Sequence, residues 1–205
     1  PKNGGKITPG KYSVAVHLQN REESHRWYPG AGLYRPVRLS LSQDVAVKTF
    51  GIFARTTGIE GINSDGTSAK SARITVTTAL RTSNHNNVKV LHTLLGDGKE
   101  VAHAEAMASE GGENTLVMEV DNPKLWSPEN PVLYELETYI YADGKAVDFQ
   151  KTNVGIRSIS YAGDGFRLNG KLTKFRGVCL HHDLGPLGAA FNKAAFRRQV
   201  RLLKD

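Results

Sequence analysis

Residues Val88 to Ala108 read VKVLHTLLGDGKEVAHAEAMA, and they decide the fold class. Val88–Leu95 and Glu100–Ala108 are strand-like runs, joined by Gly96-Asp97-Gly98, whose glycines admit the backbone that a tight hairpin turn needs. The same grammar continues outward from this hairpin. Strand-like runs precede it at Val45–Thr56 and Ala72–Arg81 and follow it at Thr115–Val120, Leu133–Tyr141 and Ala146–Ile159. Between them stand Ser64-Asp65-Gly66, Ser83-Asn84-His85-Asn86-Asn87, Glu110-Gly111-Gly112 and Ala142-Asp143-Gly144, all turn chemistry. Seven short strands at this spacing predict an immunoglobulin-like β-sandwich. The chain has a single cysteine, Cys179, so no disulfide joins the two sheets and packing alone must hold them.

One connection differs from the rest. Asp121 to Pro131 (DNPKLWSPENP) holds three prolines, which exclude both helix and regular strand. It reads as an extended crossover with Leu125 and Trp126 pinned against the sandwich. Indole faces also stack well on sugars, so ligand stacking is the alternative role for Trp126.

The flanks follow other patterns. Tyr12–Gln19 alternates, as do Val37, Leu39 and Leu41, and these read as closing strands of a separate β domain. After the sandwich, Gly163-Asp164-Gly165 marks a boundary, and Phe166-Arg167-Leu168, Asn169-Gly170 and Lys171–Lys174 form a hairpin around the preferred Asn-Gly turn. Phe175–Leu180 then reads as a short buried strand that includes Cys179, His181–Ala190 as a loop, and Asn192–Lys204 as an amphipathic helix. Strand, loop and helix begin a βα step, which needs a further parallel strand to receive the helix. A (β/α)8 barrel entered through a hairpin has this order.

Composition narrows the partners. The formal charge is +7, but the basic residues are scattered, and the densest group, Arg197, Arg198, Arg201 and Lys204, lies on a helix with its own apolar face. A solvated face explains that group better than a nucleic-acid site. No apolar run approaches the ~18 residues of a membrane span. Zinc held by clustered cysteines is excluded. His17, His25, His85, His92 and His103 are isolated in the sequence and read as surface or strand-face residues.

Four segments together resemble a known family in its own order. These are Arg26-Trp27-Tyr28-Pro29-Gly30-Ala31-Gly32-Leu33-Tyr34-Arg35, then Asn122 to Leu136, then Val154-Gly155-Ile156-Arg157 with Phe166 to Lys171, and finally Phe175-Arg176-Gly177-Val178 with His181-His182-Asp183. The chain resembles the middle of a glycoside hydrolase family 2 enzyme of the β-galactosidase type. The resemblance implies a mainly β chain in three parts. Residues 1–42 would be the last strands of a jelly-roll sugar-binding domain, 43–162 the immunoglobulin-like sandwich, and 163–205 the first hairpin, strand and helix of a catalytic TIM barrel. Where Cys179 and Leu180-His181-His182-Asp183 stand, the commonest family pattern has Asn and an Arg-His-Glu arrangement, so the substrate does not follow from the family alone.

The resemblance also implies chemistry. The parent protein would be a retaining glycosidase acting on a β-galactoside, and such enzymes need two carboxylates about 5 Å apart. The family's two glutamates follow later barrel strands, no segment here matches them, and the chain alone is expected to be inactive. His181, His182 and Asp183 are the expected sugar contacts in the intact enzyme, since an imidazole offers a hydroxyl both a donor and an acceptor. Metal binding by this trio is disfavoured because adjacent side chains rarely converge on one ion. Arg26, Trp27, Tyr28, Tyr34, Arg35, Trp126, Pro128, Gly155 and Arg157 are the expected structural motif positions. No cofactor is expected in this chain, and a divalent cation in the parent is left open. Partners would be carbohydrate, without nucleic acid or membrane, with self-association through unpaired terminal strands. The resemblance favours a periplasmic or secreted setting. The alternative to a scaffold is a free-standing carbohydrate-binding or adhesion module, with Trp27, Tyr28 and Trp126 as stacking aromatics.

Overall fold

The computed structural model describes residues 10–19, 32–33, 35, 37–82, 87–109, 111–180 and 184–205. Seven of the strands build the sandwich: β1 (Val45–Glu60), β2 (Ser71–Thr82), β3 (Val88–Gly96), β4 (Lys99–Met107), β5 (Glu113–Asp121), β6 (Tyr134–Ala142) and β7 (Lys145–Val154). They form two antiparallel sheets in the orders β1-β2-β5 and β4-β3-β6-β7. The expected immunoglobulin-like architecture is present, with the fourth strand on the sheet of β3, which differs from the constant-type arrangement.

Alternation along each strand decides what is buried. On β6, Tyr134, Leu136, Thr138, Ile140 and Ala142 face inward while the residues between them are partly exposed. Ile74, Val76, Leu94, Met118, Val120, Leu125 and Leu136 make one apolar cluster, and Leu80, Val88, Val90 and Ile140 belong to a second. Each fully buried side chain of this size contributes roughly 1.5–3 kcal/mol. Inward positions between the clusters are polar. Thr78 follows Val76 on β2, His92 separates Val90 from Leu94 on β3, and Thr138 separates Leu136 from Ile140 on β6. His92 has no exposed surface, and its ring bridges the sheets, with Nε2 3.1 Å from Thr78 Oγ1 and Nδ1 2.9 Å from Thr138 Oγ1. Neutral imidazole has one donor and one acceptor, and each hydroxyl can take the complementary part. His92 is thus a core residue on the inner face of its strand, and of the surface and strand-face readings only the second holds.

The proline-rich connection between β5 and β6 lies against the strand entry at 67–70. Leu125 N donates to Thr67 O at 2.7 Å, Ala69 N to Pro123 O at 3.1 Å, and Asn122 N to Lys70 O at 2.9 Å. Tyr134 opens β6 and turns its hydroxyl back to accept from Lys124 N at 2.9 Å. This is the counterpart of the tyrosine corner that immunoglobulin-like domains place before their sixth strand.

The run predicted as one strand from Ala146 to Ile159 is broken. The chain leaves β7 at Val154 and re-forms as β8 (Ile159–Ala162), which pairs with β9 (Gly165–Leu168), and β9 pairs in turn with β10 (Lys171–Leu172) to complete a separate three-stranded sheet. Its Asn169-Gly170 turn has both residues at positive φ, 50° and 79°, as a two-residue primed turn requires. The compact unit that contains the sandwich runs from Ser40 to Gly177 and includes this sheet.

Pro1–Leu39 and Val178–Asp205 group as a second unit. Among its described residues the helix α1 (Lys193–Lys204) starts as the sequence suggests, with Asn192 Oδ1 accepting from Ala194 N and Ala195 N. Other terminal expectations are corrected. Phe175–Leu180 forms no strand, Cys179 is exposed, and the described parts of the runs at 12–19 and 37–41 lie outside any ladder with Val14, Leu39 and Leu41 exposed. Alternation marks the face that a strand would bury, but a strand forms only where another backbone accepts its hydrogen bonds. Among the described residues no β-ladder includes these runs.

Candidate functional site

The place where the chain leaves the sandwich gathers most of the described motif residues. Three segments meet there: the turn at 63–67, the crossover at Trp126, and the link from Gly155 to Ser158. Asn169 fastens all three. It is only 4% exposed, and its Nδ2 donates to Gly66 O and to Trp126 O, both at 3.1 Å. Its Oδ1 accepts from Ser158 N at 3.0 Å, and its own N–H donates to Ser158 O at 3.0 Å. The full hydrogen-bonding capacity of the carboxamide nitrogen is used, which a buried amide needs to avoid a desolvation cost of about 1–3 kcal/mol. Gly66 is at φ 68°, and a side chain there would meet Asn169.

Trp126 occupies the middle of the junction. Its N–H donates to Ile156 O at 2.8 Å, the Arg157 guanidinium stands 5.2 Å from its ring centre, and Gly155 packs on the indole so closely that a Cβ would lie 3.1 Å from Cγ. Arg157 also donates from Nη1 to Gly155 O, and its backbone N–H reaches Thr56 Oγ1 at 3.3 Å. These contacts explain why β7 stops at Val154, since Ile156 turns its carbonyl to the crossover instead of a neighbouring strand. They also favour anchoring for Trp126 over an open stacking role. Pro128 is exposed beside it.

An open concavity of about 1100 Å³ borders this junction, lined by Trp126, Phe166, Leu172 and Phe175 together with Asp65 and Lys171. Thr67 donates to Asp65 from both its hydroxyl and its N–H, which lowers the Asp65 pKa. Phe166 and Phe175 have ring centres 4.5 Å apart.

Arg35 is described and exposed. Arg26, Trp27, Tyr28, Tyr34, His181, His182 and Asp183 lie outside the described residues. Several acidic side chains are tied to bases. Glu135 and Glu137 are both bound by Lys151 Nζ, at 2.6 and 3.0 Å, on the outer face of the sandwich, and Asp97 pairs with Lys124 at 2.7 Å. No group of three or more His, Cys, Asp or Glu among the described residues could hold a metal ion, and no described helix is long and apolar enough to cross a membrane. Sequence reasoning took Asn169 only as a turn residue and missed its fastening role. The available signal was an Asn, in place of the equally good turn former Asp, at a position that donates from its side chain.

Comparison with known proteins agrees with this geometry. The family profile described as glycosyl hydrolases family 2 matches residues 61–157, from the 63–67 turn through the crossover to Arg157. The chain is 36% identical over 201 residues to Beta-galactosidase BoGH2A of Bacteroides ovatus, covering 94% of this chain and 23% of that protein. It is also 36% identical over 199 residues to a Putative beta-glucuronidase of Formosa agariphila, covering 96% of this chain and 18% of that protein. A solved beta-glycosidase from Bacteroides vulgatus superposes with a TM-score of 0.70 at 30% identity, over 87% of this chain and 22% of that one. The chain thus spans less than a quarter of the length of these relatives. Its sandwich topology, its crossover and the matched residues make the chain a member of glycosyl hydrolase family 2.

Proposed function

We propose that this chain serves as the scaffold of a retaining β-glycosidase, with a β-galactoside as substrate. The observation that carries this reading is the 36% identity to a beta-galactosidase across nearly the whole chain. Retaining hydrolysis needs a nucleophile and an acid/base carboxylate about 5 Å apart. Glutamates outside the 205 residues would supply them, and the sandwich would hold the angle between a sugar-binding domain and the catalytic domain. His181, His182 and Asp183 would contact sugar hydroxyls, and the protein would act in the periplasm or outside the cell. A β-glucuronide is the second reading, favoured by equal identity to a putative beta-glucuronidase.

The test is hydrolysis of nitrophenyl β-galactoside and β-glucuronide by the polypeptide of the full reading frame. Faster release from the galactoside, with retained anomeric configuration, is expected. Preference for the glucuronide selects the second reading, and no hydrolysis of either overturns both.

A further inference from the structure

Asn169-Gly170 is the sequence most prone to intramolecular deamidation, and the fold treats its two halves differently. The carboxamide of Asn169 is buried and bound at both ends, whereas Gly170 lies exposed at the tip of the turn. We propose that Asn169 is a conformation-gated deamidation site: the closed junction shields it, and each opening exposes it to a conversion that prevents reclosure.

The chemistry uses only this chain and water. The deprotonated backbone nitrogen of Gly170 attacks Asn169 Cγ and forms a five-membered succinimide. The bond from Cγ to Nδ2 breaks, and the nitrogen leaves as ammonia after taking up a proton. Water then opens the imide at either carbonyl, giving aspartate or an isoaspartyl linkage. In the closed junction Cγ cannot turn toward Gly170 without breaking the bonds to Ser158, Gly66 and Trp126, and the departing nitrogen is held by two carbonyl oxygens.

Either product fails in the same place. A carboxylate at position 169 has no hydrogen to donate to Gly66 O or Trp126 O, so it faces two acceptors as a buried anion. An isoaspartyl linkage adds a backbone atom to a two-residue turn and disrupts the Leu168–Lys171 register. Reaction is therefore one-way for the junction as well as for the bond. The proposal does not depend on the glycosidase reading.

The test follows conversion at Asn169 in the 205-residue chain by peptide mass mapping with isoaspartate detection, in mildly alkaline buffer with and without guanidinium. Asn3-Gly4, the same dipeptide elsewhere in the chain, calibrates the denatured rate. Native conversion at Asn169 is expected to be at least about tenfold slower than denatured conversion, because only opened molecules react. Leu168→Ala, which removes the buried side chain flanking the turn, is expected to raise the native rate about tenfold while amide exchange in β2, β3 and β6 stays unchanged. Equal native and denatured rates overturn the proposal, as does a folded Leu168→Ala that converts no faster. Should Leu168→Ala fail to fold, the wild type in sub-denaturing guanidinium decides: acceleration before the core unfolds supports gating, and acceleration only with global unfolding overturns it.

Discussion

Mild acid should weaken the sandwich through one residue. Burial between the sheets pushes the His92 pKa from its ordinary 6.5 down to about 4. A folded-state pKa below the unfolded value means that the unfolded chain takes up the proton first. The contribution of His92 is therefore complete above pH 6.5, erodes as pH falls, and stops changing near pH 4, where the folded core is protonated too. At 1.36 kcal/mol per unit, the loss is about 2 kcal/mol by pH 5 and about 3 kcal/mol by pH 4. That is a large part of the ~5–15 kcal/mol that holds a domain of this kind together. His92→Gln keeps a donor and an acceptor between Thr78 and Thr138 but cannot titrate, and it should cost about 1–3 kcal/mol at neutral pH through poorer geometry. The assay is urea unfolding at intervals from pH 7.5 to 4, followed by tryptophan fluorescence. Asp65 and Asp97 do not confuse it, since both have pKa values lowered from 3.8 and lose their contribution below the window. The wild type should lose stability more steeply than the variant between pH 6.5 and 4. Parallel slopes would falsify the account of His92 as a buried neutral bridge.

Other expectations concern the junction and the ends. Trp126→Ala should destabilise the chain by about 3–5 kcal/mol in denaturant unfolding, because it empties the space between the crossover and Gly155. Gly155→Ala should cost about 1–3 kcal/mol by forcing the indole and the link apart, and a neutral result would show that the link has slack. Tyr134→Phe should cost about 1 kcal/mol, since Lys124 N loses its acceptor, and a differential melt against wild type measures it. Sedimentation velocity should show concentration-dependent self-association, because Val14, Leu39 and Phe175 are exposed in runs of strand-forming sequence; a single monomeric boundary at all concentrations would count against it.

How much the sequence revealed depended on the range of the interactions involved. Strands and turns in the sandwich were legible because alternation and Gly/Asp/Asn chemistry are local, so β3, β4 and their Gly96-Asp97-Gly98 turn can be read from twenty residues. Prolines announced the crossover for the same reason. His92 was missed because a histidine on an alternating strand looks alike on either face, and its partners Thr78 and Thr138 are 14 and 46 residues away. Its parity with Val90 and Leu94 was the usable clue. Asn169 was half legible: its turn is local, but its partners at Gly66 and Trp126 are 103 and 43 residues distant. The terminal runs carried a strand pattern but join no ladder among the described residues, which alternation cannot report.

Tyr134 bears on the order in which the chain assembles. Its hydroxyl closes a loop of only ten residues to Lys124, whereas the Asn169 to Gly66 bond closes one of 103. Closing the longer loop costs roughly 2 kcal/mol more by the logarithmic length dependence. The corner can therefore form with the folding nucleus, and the exit hairpin should dock after the sheets have met. Tyr134→Phe should slow folding, while loss of the Asn169 side chain should mainly speed unfolding. One crossover would thus carry an early fastening at Lys124 and a late one at Trp126.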